Sequence, residues 1–258
     1  MTPEPIANRI DAIYARIAAA ARRAGRAPQE VRLVGVTKTH PPEVIAEAIA
    51  AGLRDLGENR VQEAERKIPA LSAAHPGLTW HLIGHLQTNK ARRAAALFDV
   101  VHSLDGARLA VALDRHVSER MKDEGGRMNE SRSEPHPSSV IHHPLPVLLQ
   151  VNVSGEASKS GVAPGEAPAL CRAVAALPQL RLRGLMTIPE PATAADAKSA
   201  AVRRRFAQLR ELRDELNAGG LNLDTLSMGM SHDLEEAIME GATIVRVGTA
   251  IFGERVKS

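Results

Sequence analysis

The 258-residue sequence predicts an α/β fold and, within that class, a single (β/α)8 TIM barrel with an extra N-terminal helix. Three observations carry this reading. Short apolar runs rich in Val, Ile and Leu alternate with longer amphipathic, alanine-rich segments, the pattern of repeated βα units and a parallel sheet. Eight such runs can be counted. Eight units in about 250 residues is also the usual length of a closed barrel. An open doubly wound sheet is the structural alternative. No shift of composition marks a boundary, so one domain spanning 1–258 is expected.

The elements follow in order. Ile6, Ile10, Ile13 and Ile17 recur at helical spacing and predict a leading helix from Pro5 to Arg23. VRLVGVTK (31–38) is the first strand. EVIAEAIAAG after Pro41-Pro42 is a helix closed by Gly52. LRDLGEN (53–59), TWHLIGH (79–85) and DVVHSLD (99–105) are the next three strands. The helices VQEAERKI (61–68), NKARRAAAL (89–97) and ARLAVALDRHV (107–117) follow them in turn. PVLLQVNV (146–153) and LRLRGLMTI (180–188) are strands five and six, with EAPALCRAVAAL (166–177) between them. A long helix from Thr193 to Leu216 follows, with Phe206, Leu209 and Leu212 on one face. TLSMGM (225–230), the helix HDLEEAIMEG (232–241) and TIVRVGTAIFG (243–253) complete eight strands.

One segment breaks the rhythm. Residues 119–145 are rich in Ser, Pro, Gly and charge and predict an exposed, disordered insertion. His136, His142 and His143 within it have no spacing that specifies a metal geometry.

Composition bounds the rest. A 44% hydrophobic content suffices for a sizeable core, and a net charge of +3 without long like-charge runs does not call for nucleic acid. Cys171 is the one cysteine, so no internal disulfide can form, and its alanine-rich helical setting predicts a packing role. The N-terminal residues lack the plan of a signal peptide, and no run approaches the length of a membrane span. A cytoplasmic protein is expected.

In such a barrel the reactive face is built from the C-terminal ends of the strands. Thr37-Lys38-Thr39-His40 end the first strand, Gly57-Glu58-Asn59 the second, Gly84-His85 the third and His102-Ser103 the fourth. Asn152 ends the fifth and Met186-Thr187 the sixth. Ser227-Met228-Gly229-Met230-Ser231 end the seventh, and Arg246 with Gly248-Thr249 the eighth. Small hydroxyl and glycine residues after strands seven and eight match the common barrel phosphate site, where backbone N–H groups can approach phosphate oxygens. Ser231 fits a helix cap equally well, and Gly248-Thr249 an ordinary turn. Lys38, at the end of an apolar strand, is read either as a charge at the rim or as a partly buried amine. Burial would make that amine a better nucleophile towards aldehydes. A reactive amine facing a phosphate cradle is what a phosphorylated aldehyde requires.

VGVTK (34–38), GENRVQE (57–63), WHLIGHLQTNK (80–90), VNVSGEASKSGV (151–162), RGLMTIP (183–189), SMGMSHDLEEAI (227–238) and VRVGTAIFGER (245–255) resemble, in this order, the pyridoxal phosphate homeostasis protein family. The resemblance covers nearly the whole chain outside the N-terminal helix and the insertion. It implies a fold-type III barrel like the N-terminal domain of alanine racemase, and pyridoxal 5′-phosphate held as a Schiff base on Lys38. It implies phosphate contacts near Ser227, Gly229, Gly248 and Thr249, and Asn59 beside the ring. It places Arg246 on the ring nitrogen or the phosphate. The implied role is a cofactor carrier that buffers pyridoxal phosphate inside the cell, with cofactor-dependent apoenzymes as its expected recipients.

Two departures stand out. The 119–145 insertion is longer than the family shows there, and His232 replaces a frequent acidic residue and is read as a surface position. The rival reading is an amino-acid racemase-like enzyme, which needs a second acid/base group opposite the lysine. In alanine racemase-like enzymes that group is a tyrosine of an added β-domain. Here the eighth strand lies close to the last residue, and the single tyrosine, Tyr14, falls in the leading helix, where packing is expected. His85 or His40 would have to substitute. No dimerisation domain is expected either, so the chain is read as a monomer. A third reading is a barrel enzyme forming a Schiff base with a sugar phosphate, which predicts a colourless protein.

Overall fold

Eight parallel strands close on themselves in chain order, β1 pairing with both β2 and β8, in the computed structural model of the chain. The structure describes residues 4–127, 144–156, 160–189 and 200–253. Helix α1 (Ile6–Arg23) leads. The βα units are β1 (Arg32–Val36) and α2 (Pro42–Ala50), β2 (Asp55–Glu58) and α3 (Val61–Ala74), β3 (Thr79–Leu82) and α4 (Ala91–Leu97), β4 (Val100–Leu104) and α5 (Ala107–Arg127). They continue as β5 (Leu145–Gln150) and α6 (Ala167–Ala175), β6 (Leu180–Met186) and α7 (Ala200–Ala218), β7 (Thr225–Ser227) and α8 (Leu234–Met239), β8 (Ile244–Val247) and α9 (Thr249–Phe252).

Most strands end a few residues earlier than the sequence reading has them, the seventh at Ser227 and the fifth at Gln150; three further differences have a packing reason. The eighth strand stops at Val247, and 249–252 turn into the short helix α9, which buries Ile251 and Phe252. Helix α3 runs through Pro69 to Ala74, because its apolar face continues to the buried Leu71. Helix α5 runs to Arg127, so the start of the expected insertion is helical. Arg120 donates to the carbonyl of Ala95 at 2.7 Å, and Met121 packs on the core. The three insertion histidines, and 193–199 of the expected seventh helix, lie outside the described residues.

Strand alternation divides the buried residues into two sets. Leu33, Leu56, Leu82, Val101, Leu226 and Val245 join the helices in one apolar cluster. Their neighbours Val34, His81, His102, Ser227 and Arg246 are equally buried and fill the barrel interior. Barrel interiors are usually packed with Val, Ile and Leu, so four polar side chains here need partners. They find each other. His81 Nε2 bonds Asp55 Oδ1 at 2.9 Å, and His81 Nδ1 bonds His102 Nε2 at 2.9 Å. His102 Nδ1 bonds Ser227 Oγ at 2.9 Å, and Arg246 donates to Ser227 Oγ at 2.6 Å. Close approach elsewhere depends on glycine. A Cβ on Gly184 would lie 1.8 Å from the carbonyl oxygen of Thr225 across the β6–β7 pair.

Two consequences are measurable. Burial holds the His102 imidazole well below its usual 6.5, with His81 and Arg246 adding to the effect. The unfolded chain therefore takes up a proton as pH falls through 6.5 that the folded chain does not, and stability must fall there. The slope from this residue is about 1.4 kcal/mol per pH unit. Urea unfolding between about pH 7 and 5.5 should show it, and His102→Gln should flatten it. Gly184→Ala should lower the urea midpoint by the equivalent of about 3 kcal/mol, at the upper end of overpacking costs.

Candidate functional site

A cavity of about 350 Å³ opens where the C-terminal strand ends meet. Lys38 after β1, Asn59 after β2, and Gly248-Thr249 after β8 line it, together with Arg246 of β8. Val36, Ile83 and Ile188 supply apolar wall, and Met230, Ser231, His232 and Asp233 complete it on the α8 side. That volume lies within the range of small-molecule sites.

Lys38 is half-buried, and the backbone on either side of it is clamped. The Thr37 hydroxyl donates to Glu58 Oε1 at 2.7 Å. Lys67 donates to the Thr37 carbonyl at 2.9 Å, to Glu58 Oε1 at 2.9 Å and to Glu63 Oε1 at 2.6 Å. The Thr39 N–H donates to Glu63 Oε1. Thr39 has φ 67°, a left-handed conformation that disfavours a β-branched residue and costs about 1 kcal/mol or more. The clamp holds that bend. Burial pushes the Glu58 carboxyl up, against the pull of Lys67 and Thr37. Lys67, only 6% exposed, spends all three ammonium donors on this network, whereas Lys38 reaches the cavity wall.

The floor is Arg246. It is 3% exposed, donates to Ser227 Oγ, and donates through its other terminal nitrogen to the Thr187 carbonyl at 2.8 Å. Among the described residues no carboxylate hydrogen-bonds to it. Burial pulls its pKa down to about 10, and Asp233 opposes this through space. A buried cation held by neutral acceptors at the base of a cavity favours an anionic or electron-rich ligand atom.

The loops above are tied from outside the barrel. Arg16 of α1 donates to the Ser231 carbonyl at 2.9 Å and pairs with Glu235 at 2.7 Å. Asp233 accepts the Met230 N–H at 2.6 Å. The Ser231 hydroxyl accepts the Ala250 N–H at 3.4 Å, so it links the β7 loop to the first turn of α9 instead of capping α8. His40 stacks on Phe252 with ring centroids 4.9 Å apart, joining the β1 loop to α9. Gly84 lets the end of β3 press on Asn59, since a Cβ there would lie 2.3 Å from the Asn59 carbonyl oxygen.

Five of the expected site residues, Lys38, Asn59, Arg246, Gly248 and Thr249, meet on this cavity. Ser227 and Gly229 are buried behind its wall. Ser227 is bonded to Arg246 and His102, and Gly229 has φ 92° and packs where a Cβ would lie 2.6 Å from Ala237 Cβ. His232 is exposed in the turn before α8, yet it lines the cavity. Tyr14 is 43% exposed instead of packed, and its interactions with Asp55 and Arg54 put it towards the opposite end of the barrel. His85 is exposed and bonded to Asp105 at 3.1 Å. Cys171 is fully buried, and burial pushes its thiol up to about 11. Lys67, Glu63 and His81 were not singled out from the sequence. The i,i+4 spacing of Glu63 and Lys67 and the inward parity of His81 in WHLIGH are the signals that mark them.

The alanine racemase N-terminal domain family matches residues 9–256. The pyridoxal phosphate homeostasis protein of Pseudomonas aeruginosa is 52% identical over 250 residues, covering 97% of this chain and 96% of that protein. The protein of that name from Vibrio cholerae is 45% identical, covering 97% and 96%. PipY of Synechococcus elongatus, solved with PLP bound, is 38% identical with a TM-score of 0.75, covering 96% of this chain and all of that one. With a family match over most of its length and relatives of this identity and coverage, the chain belongs to the pyridoxal phosphate homeostasis protein family, within the wider family of alanine racemase N-terminal domains.

Proposed function

We propose that the protein binds pyridoxal 5′-phosphate covalently on Lys38 and acts as a cytoplasmic, monomeric carrier that buffers the cofactor for apoenzymes. The observation that carries the reading is the pairing of a clamped, half-buried lysine with a buried guanidinium across one cavity. The relatives named for pyridoxal phosphate homeostasis, and PipY with PLP bound, support it. No described helix is long and apolar enough to cross a membrane.

The residues present fit the cofactor. It supplies an aldehyde that condenses with an amine to a Schiff base, releasing water, and a phosphate that needs donors. Lys38 is the amine on the cavity wall. Lys67 is excluded as a competitor, because its three donors are taken. Gly248 and Thr249 open the short helix α9, whose first N–H groups have no acceptor inside it. With Ser231 they form the donor-rich side of the cavity. Asn59 and Ile83 on the cavity wall would border the cofactor's planar ring, and Arg246 would supply donors to it. In this reading Ser227 and Gly229 act from behind the wall. Ser227 holds Arg246, and Gly229 lets β7 turn tightly onto α8.

His232 on the wall is the observation that favours the second reading, an amino-acid racemase-like enzyme. Exchange of an amino acid's α-proton in heavy water at more than ~1 per second would establish that reading over the carrier.

The binding proposal is tested by titrating the protein with pyridoxal 5′-phosphate and recording visible absorbance. The wild type should turn yellow and Lys38→Ala should not. Pyridoxal without its phosphate should bind at least about tenfold more weakly, the scale of losing hydrogen bonds to a charged group. A colourless protein that captures sugar phosphates on Lys38 would contradict the reading.

A further inference from the structure

The chain of buried polar groups through the barrel has a direction. Arginine can only donate, so Ser227 Oγ accepts from Arg246 at 2.6 Å. An ionised Asp55 can only accept, so His81 carries its hydrogen on Nε2, 2.9 Å from Asp55 Oδ1. If both rings are neutral, the rest is determined. His81 Nδ1 accepts from His102 Nε2–H, and His102 Nδ1 accepts from the Ser227 hydroxyl. Every donor then points from the cavity floor towards Asp55. In the reverse order a doubly protonated His81 would donate to His102, and His102 Nδ1–H to Ser227. Ser227 would then receive two donors, and its own hydrogen would lack an acceptor among the described residues. That order would also put a second positive charge in the interior that buries Arg246.

We infer that Ser227 and His102, with His81 and Asp55 behind them, are positioning residues that aim Arg246 at the cofactor cavity through an ordered relay running from one mouth of the barrel towards the other. Next to the far end, His81 lines a second cavity of about 540 Å³ together with Arg32, Pro146 and Ile244, which stand at or near the starts of their strands. At the near end the relay leaves Ser227 with a lone pair, not a hydrogen, facing the guanidinium. With Thr187 holding the other terminal nitrogen, both ends of the guanidinium fork are fixed. The remaining donors are thereby held in one orientation relative to the cavity that Arg246 lines. Neither histidine lines that cavity, so both act only through Arg246.

The role assigned to Arg246 rests on the cofactor-binding proposal, but the relay does not, and the two fail separately. Nitrogen-15 NMR of the histidine-labelled protein without cofactor reads the tautomers. Both His81 and His102 should be neutral, with hydrogen on Nε2. A charged His81, or a His102 with hydrogen on Nδ1, overturns the relay even if pyridoxal 5′-phosphate binds. The positioning role is read from variants by visible titration with pyridoxal 5′-phosphate. Ser227→Ala should weaken binding about tenfold and move the absorption maximum of the bound cofactor, while Ser227→Thr keeps the hydroxyl and should stay near wild type. A Ser227→Ala protein that melts earlier without cofactor but binds with unchanged affinity and spectrum would make Ser227 a packing residue and overturn the assignment. Correct tautomers in a protein that never binds the cofactor would leave the relay standing and remove the proposed function.

Discussion

A guanidinium cannot be left alone in the centre of a parallel barrel. Removing it from water is costly, and only hydrogen bonds of good geometry offset that cost. Arg246 meets this constraint with neutral acceptors, the Ser227 hydroxyl and the Thr187 carbonyl, not with a carboxylate. Much of the interior follows from that choice. Ser227 must accept, so it turns its hydrogen to His102. His102 then needs His81, and His81 needs the carboxylate of Asp55 near the other end. A barrel filled only with Val, Ile and Leu would be simpler to pack. This one keeps a cation uncompensated at short range, with its donors available to whatever enters the cavity.

Lys38 depends on a second constraint, worked out in the backbone. The bend at Thr39 needs a left-handed residue, and glycine would supply it without strain. A threonine held there by Glu63 and Lys67 is stiffer. The same lysine and Glu58 hold Thr37 on the other side, so the segment carrying the amine has little freedom. Helix α1, outside the βα repeat, extends this rigidity to the opposite wall through Arg16 and the Ser231 carbonyl. Amine, floor and loop are thus positioned by three separate networks that meet on one cavity.

The barrel was legible in the sequence because strand order and apolar periodicity are local signals. Lys38, Asn59, Arg246, Gly248 and Thr249 were legible as strand ends, and the structure brings them together. What stayed hidden was pairing. SMGM does not say that Ser227 turns inward to an arginine nineteen positions later, while Gly229 packs against a helix. WHLIGH does not announce that His81 and His102 will share a hydrogen bond from adjacent strands. Such contacts depend on register around a closed sheet, which one strand does not encode alone. The end of α5 was hidden for a related reason. Its polar, glycine-containing composition reads as loop, and the contacts of Arg120 and Met121 that continue the helix are tertiary.

The central claim is that Lys38 is the amine, among those of the described residues, that the fold prepares for the cofactor aldehyde. Reducing the cofactor-loaded protein with borohydride and mapping the modified peptide by mass tests it most directly. The account predicts a single pyridoxyl adduct on the 31–40 segment, at Lys38. An adduct at Lys67, Lys90 or Lys159 in its place would contradict it.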